Sequence, residues 1–245
     1  MVAVGLTLQT APAAPPAPPP PSPPTVWTDD RPITRIAQNL AHDVKTLPRV
    51  ESAAIVTAGL FGALIAHGAD DDVAAWSRRQ LPSSYSGVGS AFGDALVQGG
   101  GALGTYVAGK LAHRADVAHI GGDLIRAQML NGVMTTTIKF VGGRTRPSGG
   151  RHAFPSGHTA ATFASATVLQ HHFGWKAGVP AYAAAGFVGW TRLRDNQHWV
   201  SDVVFGSALG LLAGRTIGAA HRPASWRIGP ATTTGGVGIA VVRIR

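Results

Sequence analysis

The chain has 245 residues, no cysteine and a formal net charge of +9, from 21 Lys and Arg against 12 Asp and Glu. A disulfide framework, a thiolate metal centre and a cysteine nucleophile are thereby excluded. The positive balance points to anionic partners: phosphorylated substrates, acidic lipid surfaces or nucleic acid. Nucleic acid is set aside, because no dense basic run is interleaved with aromatics. Only 13% of residues are charged, against a usual quarter. That low fraction belongs to a membrane-embedded or tightly packed helical protein.

In chain order, the opening MVAVGLTLQTAPA reads as a weak signal-like start: a short apolar stretch with small residues near its close, but no basic n-region. APAAPPAPPPPSPP at 11–24 cannot form a core and reads as a disordered, polyproline-like linker. Residues 25–49 are mixed and charged, and read as a connecting segment with an amphipathic helix lying on the domain. Six helical segments follow, near 51–67, 89–112, 117–141, 157–173, 177–191 and 199–219. They rest on length, alanine richness and the absence of long β-branched runs. Pro82, Pro147, Pro155 and Pro180 fall at or near the gaps. The end, GGVGIAVVRIR at 235–245, alternates weakly, as a short strand or a disordered tail would. The expected fold is therefore all-α, a bundle of about six core helices. Its parts are a start and linker at 1–24, a connecting segment at 25–49, the helical domain at 50–220 and a tail at 221–245.

No helix is a clean 18-residue apolar run; His67, Lys110, Arg126 and Arg215 interrupt four of them. Six crossings would put Arg31, Arg35, Lys45, Arg49, Lys110, Arg114, Lys176, Arg215, Arg222 and Arg227 on one side. Arg78, Arg79 and the arginines of the motifs below would fall on the other. That is the pattern of a positive-inside membrane protein with its motif loops outside. The expected location is the cell envelope: an inner-membrane protein with its site on the outer, periplasmic face. A soluble periplasmic or secreted protein is the alternative.

Three clusters carry chemistry. KFVGGRTRP places Lys139 at the end of the third helical segment and Arg146–Pro147 in the loop after it. FPSGHTAATF places Pro155, Ser156, Gly157 and His158 at a helix start. Backbone N–H groups there lack partners and the dipole is positive, which suits a phosphate. TRLRDNQHWVSD brings Arg192, His198 and Asp202. Phosphoryl transfer is largely positioning and charge stabilisation, and arginine forks and a lysine are its natural ligands. His198 and Asp202 stand i, i+4, so a carboxylate on the same helical face would fix the imidazole tautomer. This makes His198 the nucleophile candidate. His158, amid cations at a helix N-terminus, should be neutral until a phosphate dianion raises its pKa, as suits a general acid.

This constellation, Lys139 to Arg146–Pro147, then Pro155–Ser156–Gly157–His158, then Thr191–Arg192 to His198 and Asp202, resembles the type 2 phosphatidic acid phosphatase family, which shares its site with vanadium-dependent haloperoxidases. The resemblance covers roughly residues 50–220. It implies a helical core and a phosphohydrolase of lipid phosphates, diphosphates or small phosphomonoesters, with no cofactor or metal and a phosphohistidine intermediate. It further implies that Lys139, Arg146 and Arg192 bind phosphate with Ser156 and Gly157. His158 would protonate the leaving group, His198 attack and Asp202 orient it. The implied partner is a phosphorylated lipid or a small phosphate ester, at a membrane. Two departures stand out: Thr191 replaces the usual serine but keeps the hydroxyl, and SGGRHAF leaves no room for a substrate-binding insertion between the first two motifs. Specificity then falls to the 68–91 loop and the outer helix ends. A secreted acid phosphatase and a vanadium-dependent haloperoxidase are the alternatives.

Other features have plainer readings. His171–His172 reads as a helix cap rather than a metal site, and Asp70–Asp71–Asp72 as a solvated helix start. Arg144, Arg151, His152 and Arg194 either tune substrate binding or make the rim positive. Trp190 and Trp199 suit a membrane interface or ordinary packing.

Overall fold

The computed structural model describes residues 33–45, 47, 49–80, 84–219, 225–233 and 236–244. The signal-like start, the proline-rich linker and residues 25–32 lie outside them.

Among the described residues, nine helices run in chain order: α1 (Ile33–Lys45), α2 (Val50–His67), α3 (Asp70–Gln80), α4 (Ser84–Gly93), α5 (Ala95–Leu111), α6 (Ala115–Gly142), α7 (Gly157–Phe173), α8 (Trp175–Arg194) and α9 (Val200–Ala219). Two strands, β1 (Ser225–Thr233) and β2 (Gly236–Ile244), pair antiparallel after them. All six helices expected from the sequence are present. The segment expected at 89–112 is split at Asp94, whose carboxylate caps α5 by accepting from Leu96 N–H at 2.8 Å. Pro180 lies inside α8 rather than in a gap. The weak alternation at the C-terminus is a strand, β2, and its partner β1 left no clear trace in the sequence.

α1 lies on the bundle as an amphipathic helix should: Ile36 is buried against Tyr106 of α5 and Ala118 of α6. The expected 68–91 loop is largely helical, formed by α3 and α4. Trp76 of α3 stacks on Trp190 of α8 with ring centroids 6.0 Å apart.

The central pair is α7 and α9. Gly206, Gly210, Gly214 and Gly218 recur every fourth residue, so they form one ridge of α9. A Cβ on Gly206 would fall 2.6 Å from the Ser156 carbonyl oxygen, and one on Gly210 would fall 2.3 Å from that of Ala160. At Gly214 it would meet Thr167 Cβ at 2.4 Å. Only a bare backbone fits at this separation, which is how small-residue ridges let helices approach without large side chains. α5 and α6 meet the same way: a Cβ on Gly121 would stand 2.3 Å from the Tyr106 backbone nitrogen. The core this creates is small-residue and aliphatic, with Ala127, Ala164, Val168, Ala213 and Ile217 almost wholly buried.

Among the described residues, two helical stretches, Val50–His67 and Val200–Gly218, are long and apolar enough to cross a membrane, with mean hydropathies of 1.5 and 1.3. They differ in burial. Only 11% of the α2 window is buried, against 67% of the α9 window. On α2, Leu60, Phe61, Leu64 and Ile65 are all exposed, and α5 and α6 add Leu96, Leu103, Leu111, Val133 and Phe140. Scattered exposed apolar residues are ordinary, but contiguous large ones mark a surface built for an apolar environment.

Candidate active site

Four helix ends meet at one end of the bundle: the C-termini of α6 and α8 and the N-termini of α7 and α9. α6 closes on Gly143 in the left-handed conformation, φ 53°, with its N–H on the Lys139 carbonyl. The loop behind it turns tightly, Arg146 N–H donating to the Gly150 carbonyl at 2.7 Å and Gly149 N–H to that of Arg146 at 2.9 Å. α8 ends in a turn through Asn196 at φ 54°. Its Gln197 and His198 N–H groups both donate back to the Arg192 carbonyl. The Ser156 N–H donates to the Asp202 carbonyl at 3.0 Å, so one hydrogen bond ties the start of α7 to the start of α9.

Every sequence-predicted site residue falls in this region. The Lys139 amine donates to the His152 carbonyl at 2.8 Å, while the His152 ring contacts the Lys139 carbonyl at the same distance. A Cβ on Gly157 would lie 3.7 Å from the Lys139 Cε, so the lysine stem passes over the helix start. Arg146 donates to Gln197 Oε1 at 2.6 Å, and its buried Nε has no hydrogen-bond partner among the described residues. Arg192, 4% exposed, reaches Ser90 of α4 at 3.2 Å and Asp195 at 3.0 Å. Ser156 is fully buried, and its hydroxyl shares a 2.9 Å hydrogen bond with that of Thr159. With the Ser156 N–H held by Asp202, the N–H groups of Gly157 and His158 head the first turn of α7.

His198 is 3% exposed, and its Nδ1 faces Asp202 Oδ2 at 3.5 Å. That is longer than a normal hydrogen bond, and Nδ1 has no hydrogen-bond partner among the described residues; catalytic contacts often tighten only around substrate. Burial, the largest cause, holds the His198 pKa below the ordinary imidazole range, with the Lys139 charge acting in the same direction and Asp202 opposing both. His158 is pushed down to about 4, first by burial, then by Arg192, His198 and Lys139. In both histidines the surroundings favour the neutral imidazole. The electrostatic partners also place His158 among the three groups that the sequence grouped with it.

Asp202 is held by a network of its own. It is fully buried. Its Oδ1 accepts from Arg144 Nη1 at 2.7 Å, and its Oδ2 accepts from the Trp199 N–H at 2.8 Å. Arg144 reaches on with Nη1 to Ser201 Oγ at 2.8 Å and with Nη2 to Asp70 Oδ2 at 2.6 Å. Asp70 in turn accepts from the Ser201 N–H and hydroxyl and contacts His67 Nδ1 at 2.8 Å. Asp70 does open α3, but it is buried at 5% exposure rather than solvated. Its pKa is held low: the hydrogen bonds from Ser201, His67 and Arg144 together outweigh the opposing effect of burial, the largest single influence.

Sequence reasoning therefore missed Asp70, Ser201 and Gln197, and offered Arg144 only as a rim or tuning charge. Arg144 is an inward clamp on the carboxylate beside His198. Its one legible signal was its place two residues before Arg146 in the first motif. Trp199 donates its indole N–H to the Thr145 carbonyl at 2.9 Å and lies 5.7 Å beneath the Arg144 guanidinium.

Residues 121–225 match the family model of the PAP2 superfamily. Over 89 residues, 35% of this chain, the sequence is 42% identical to the lipid A 1-phosphatase of Porphyromonas gingivalis, and the match covers 20% of that protein. Over 76 residues, 31% of this chain, it is 28% identical to the lipid A 4'-phosphatase of Helicobacter pylori, covering 38% of it. The chain thus aligns with well under half the length of these curated relatives. The crystal structure of Aquifex aeolicus LpxE shares the fold, with a TM-score of 0.50 over 62% of this chain and 95% of that one, at 21% identity.

Proposed function

From a chain whose residues 121–225 are a PAP2-superfamily region, we propose a metal-independent phosphohydrolase of lipid phosphates or diphosphates that works through a phosphohistidine intermediate. The observation that carries this reading is the convergence of Lys139, Arg146, Arg192, His158 and the His198–Asp202 pair on four helix ends. The named relatives are both lipid A phosphatases, so a phosphorylated glycolipid heads the substrate candidates.

The phosphoryl group sits among Lys139, Arg146 and Arg192, at the Ser156–Gly157 start of α7, where three cations and a helix N-terminus oppose its charge. With Nδ1 of His198 turned to Asp202, Nε2 is the nitrogen left to attack. Attack forms an N–P bond and breaks the P–O ester bond, and the leaving alkoxide takes a proton from His158. A substrate dianion supplies that proton's stability, since negative charge favours the imidazolium. Water then attacks the phosphohistidine, returns its proton to His158 and releases inorganic phosphate with His198 restored.

The apolar exposed faces of α2, α5 and α6 support a membrane-embedded protein. Lys110, Arg114, Lys176 and Arg215 sit at or near the bundle end away from the site. By the positive-inside rule that end faces the cytoplasm and the site faces the periplasm. The test is phosphate release by purified protein in EDTA, from lipid A, phosphatidic acid, a polyprenyl diphosphate and para-nitrophenyl phosphate, beside His198→Ala. Release from a lipid, lost in the variant, supports the reading. Full activity in His198→Ala would end it, and preference for the soluble ester would move the protein to the acid phosphatases.

A further inference from the structure

We infer that the opposite end of the bundle carries a binding site for one divalent transition-metal cation, zinc by its ligand chemistry, built from His119, Asp123 and His172. The sequence offered His172 as a cap. It instead turns away from its own helix and meets α6, its Nε2 lying 3.0 Å from Asp123 Oδ2. His119 and Asp123 stand i, i+4 on α6, so they share a face, and His119 Nε2 lies 3.6 Å from the same Oδ2. All three ligand atoms fall within 4.8 Å of one another. Zinc bonds of about 2.0–2.1 Å in a tetrahedron separate ligand atoms by roughly 3.4 Å. The two distances to Asp123 straddle that value, so small side-chain rotations complete the set. Two imidazoles and a carboxylate are a ligand set zinc favours, with water in the fourth position.

The surroundings fit a cation. Arg126 donates to Asp123 Oδ1 at 2.5 Å and is also paired with Asp43. That leaves Oδ2 directed at the two rings, the arrangement by which an outer partner orients a ligating carboxylate. Two carboxylates, those of Asp43 and Asp123, flank the single guanidinium of Arg126. His119 and Asp123 are each 3% exposed, and both line a cavity of about 20 Å³ with Asn39, Tyr106 and Arg126. That volume suits about one water, enough for the fourth ligand. Asp123 is sixteen residues from Lys139 along one helix, about 24 Å. The metal therefore pins α6 to α7 and takes no part in phosphoryl transfer.

The experiment uses the full-length, tag-free chain purified in detergent and stripped of metal. Zinc is titrated calorimetrically, and cobalt is followed by its visible absorption. The expected result is one saturable site per chain, tetrahedral cobalt bands, and a melting temperature that rises with zinc and falls back with EDTA. Asp123→Asn and His172→Gln should each abolish stoichiometric binding. His172 lies at the edge, with an 18% exposed side chain, so His172→Gln keeps the test decisive if Asp123→Asn fails to fold. No saturable binding to the wild type, or binding unchanged in His172→Gln, overturns the proposal.

Discussion

Arg144→Met tests whether the Arg144 clamp sets the chemistry. The side chain is a quarter exposed and Asp202 is not exposed at all. Stripping a fully buried ion pair of one partner costs about 3–5 kcal/mol, and partial exposure of the arginine lowers this. Two charge-assisted hydrogen bonds, at 2.7 Å to Asp202 and 2.6 Å to Asp70, are lost at about 1.5–3 kcal/mol each before relaxation. About 2–3 kcal/mol overall is a fair expectation. If that cost falls on the orientation of His198 during attack, kcat drops roughly 30- to 150-fold at 1.36 kcal/mol per decade. KM should change little, because Arg144 binds a carboxylate rather than substrate. Arg144→Lys should recover part of kcat by restoring the charge without the fork. The assay is steady-state phosphate release with a thermal melt on each variant. A raised KM at unchanged kcat would make Arg144 a phosphate ligand and refute the clamp. Wild-type kcat in Arg144→Met would refute its role altogether.

His158→Ala should slow release from a lipid phosphate by about 10²–10⁴-fold yet spare the intermediate's formation from an ester with an activated leaving group; equal losses on both esters would remove it as the acid. The His158 pKa of about 4 should rise when orthovanadate or phosphate binds, because an anion favours the imidazolium; an NMR titration that shows no rise would contradict the proton assignment. Gly210→Ala should cost about 1–3 kcal/mol through overpacking, since its Cβ would meet the Ala160 carbonyl oxygen at 2.3 Å. That lowers the melting temperature by several degrees, and an unchanged melt would mean that α9 moves away freely. Since the chain has no cysteine, Arg151→Cys offers a single label site beside the motifs. An impermeant maleimide should react with it in intact cells, whereas labelling only after permeabilisation would reverse the orientation.

The helices and the site were legible for a local reason. Helix signals are local: caps, prolines and alanine-rich runs mark the chain within a turn or two. Each of the three motifs is also local, and the fold had only to bring their helix ends together. What escaped was long-range. Asp70 sits 131 residues from Ser201 and looked like one of three equivalent acids on a helix start. Nothing in DDD says which carboxylate turns inward. His172 escaped for the same reason, because its partner Asp123 lies 49 residues away on another helix. The break at Asp94 shows a different failure. The cap residue was present, but glycine-rich continuity on both sides suggested a single helix.

The glycine ridge and the His198–Asp202 pair obey one constraint. α9 carries both Asp202 and, in register along the same helix, Gly206, Gly210, Gly214 and Gly218. The ridge sets its distance from α7, and the Ser156 N–H to Asp202 carbonyl bond sets its position along α7. A shift of α9 by even 1 Å would move Asp202 relative to His198 and, at the same time, move the start of α7 that carries His158. Geometric losses of that size cost about 10²-fold in rate. Substitutions along the ridge, as far as about four turns from any phosphate contact, are therefore expected to lower kcat together with stability. A ridge variant that lost several degrees of melting temperature but kept full kcat would show that the site holds itself together through Arg144 and Asp70 alone.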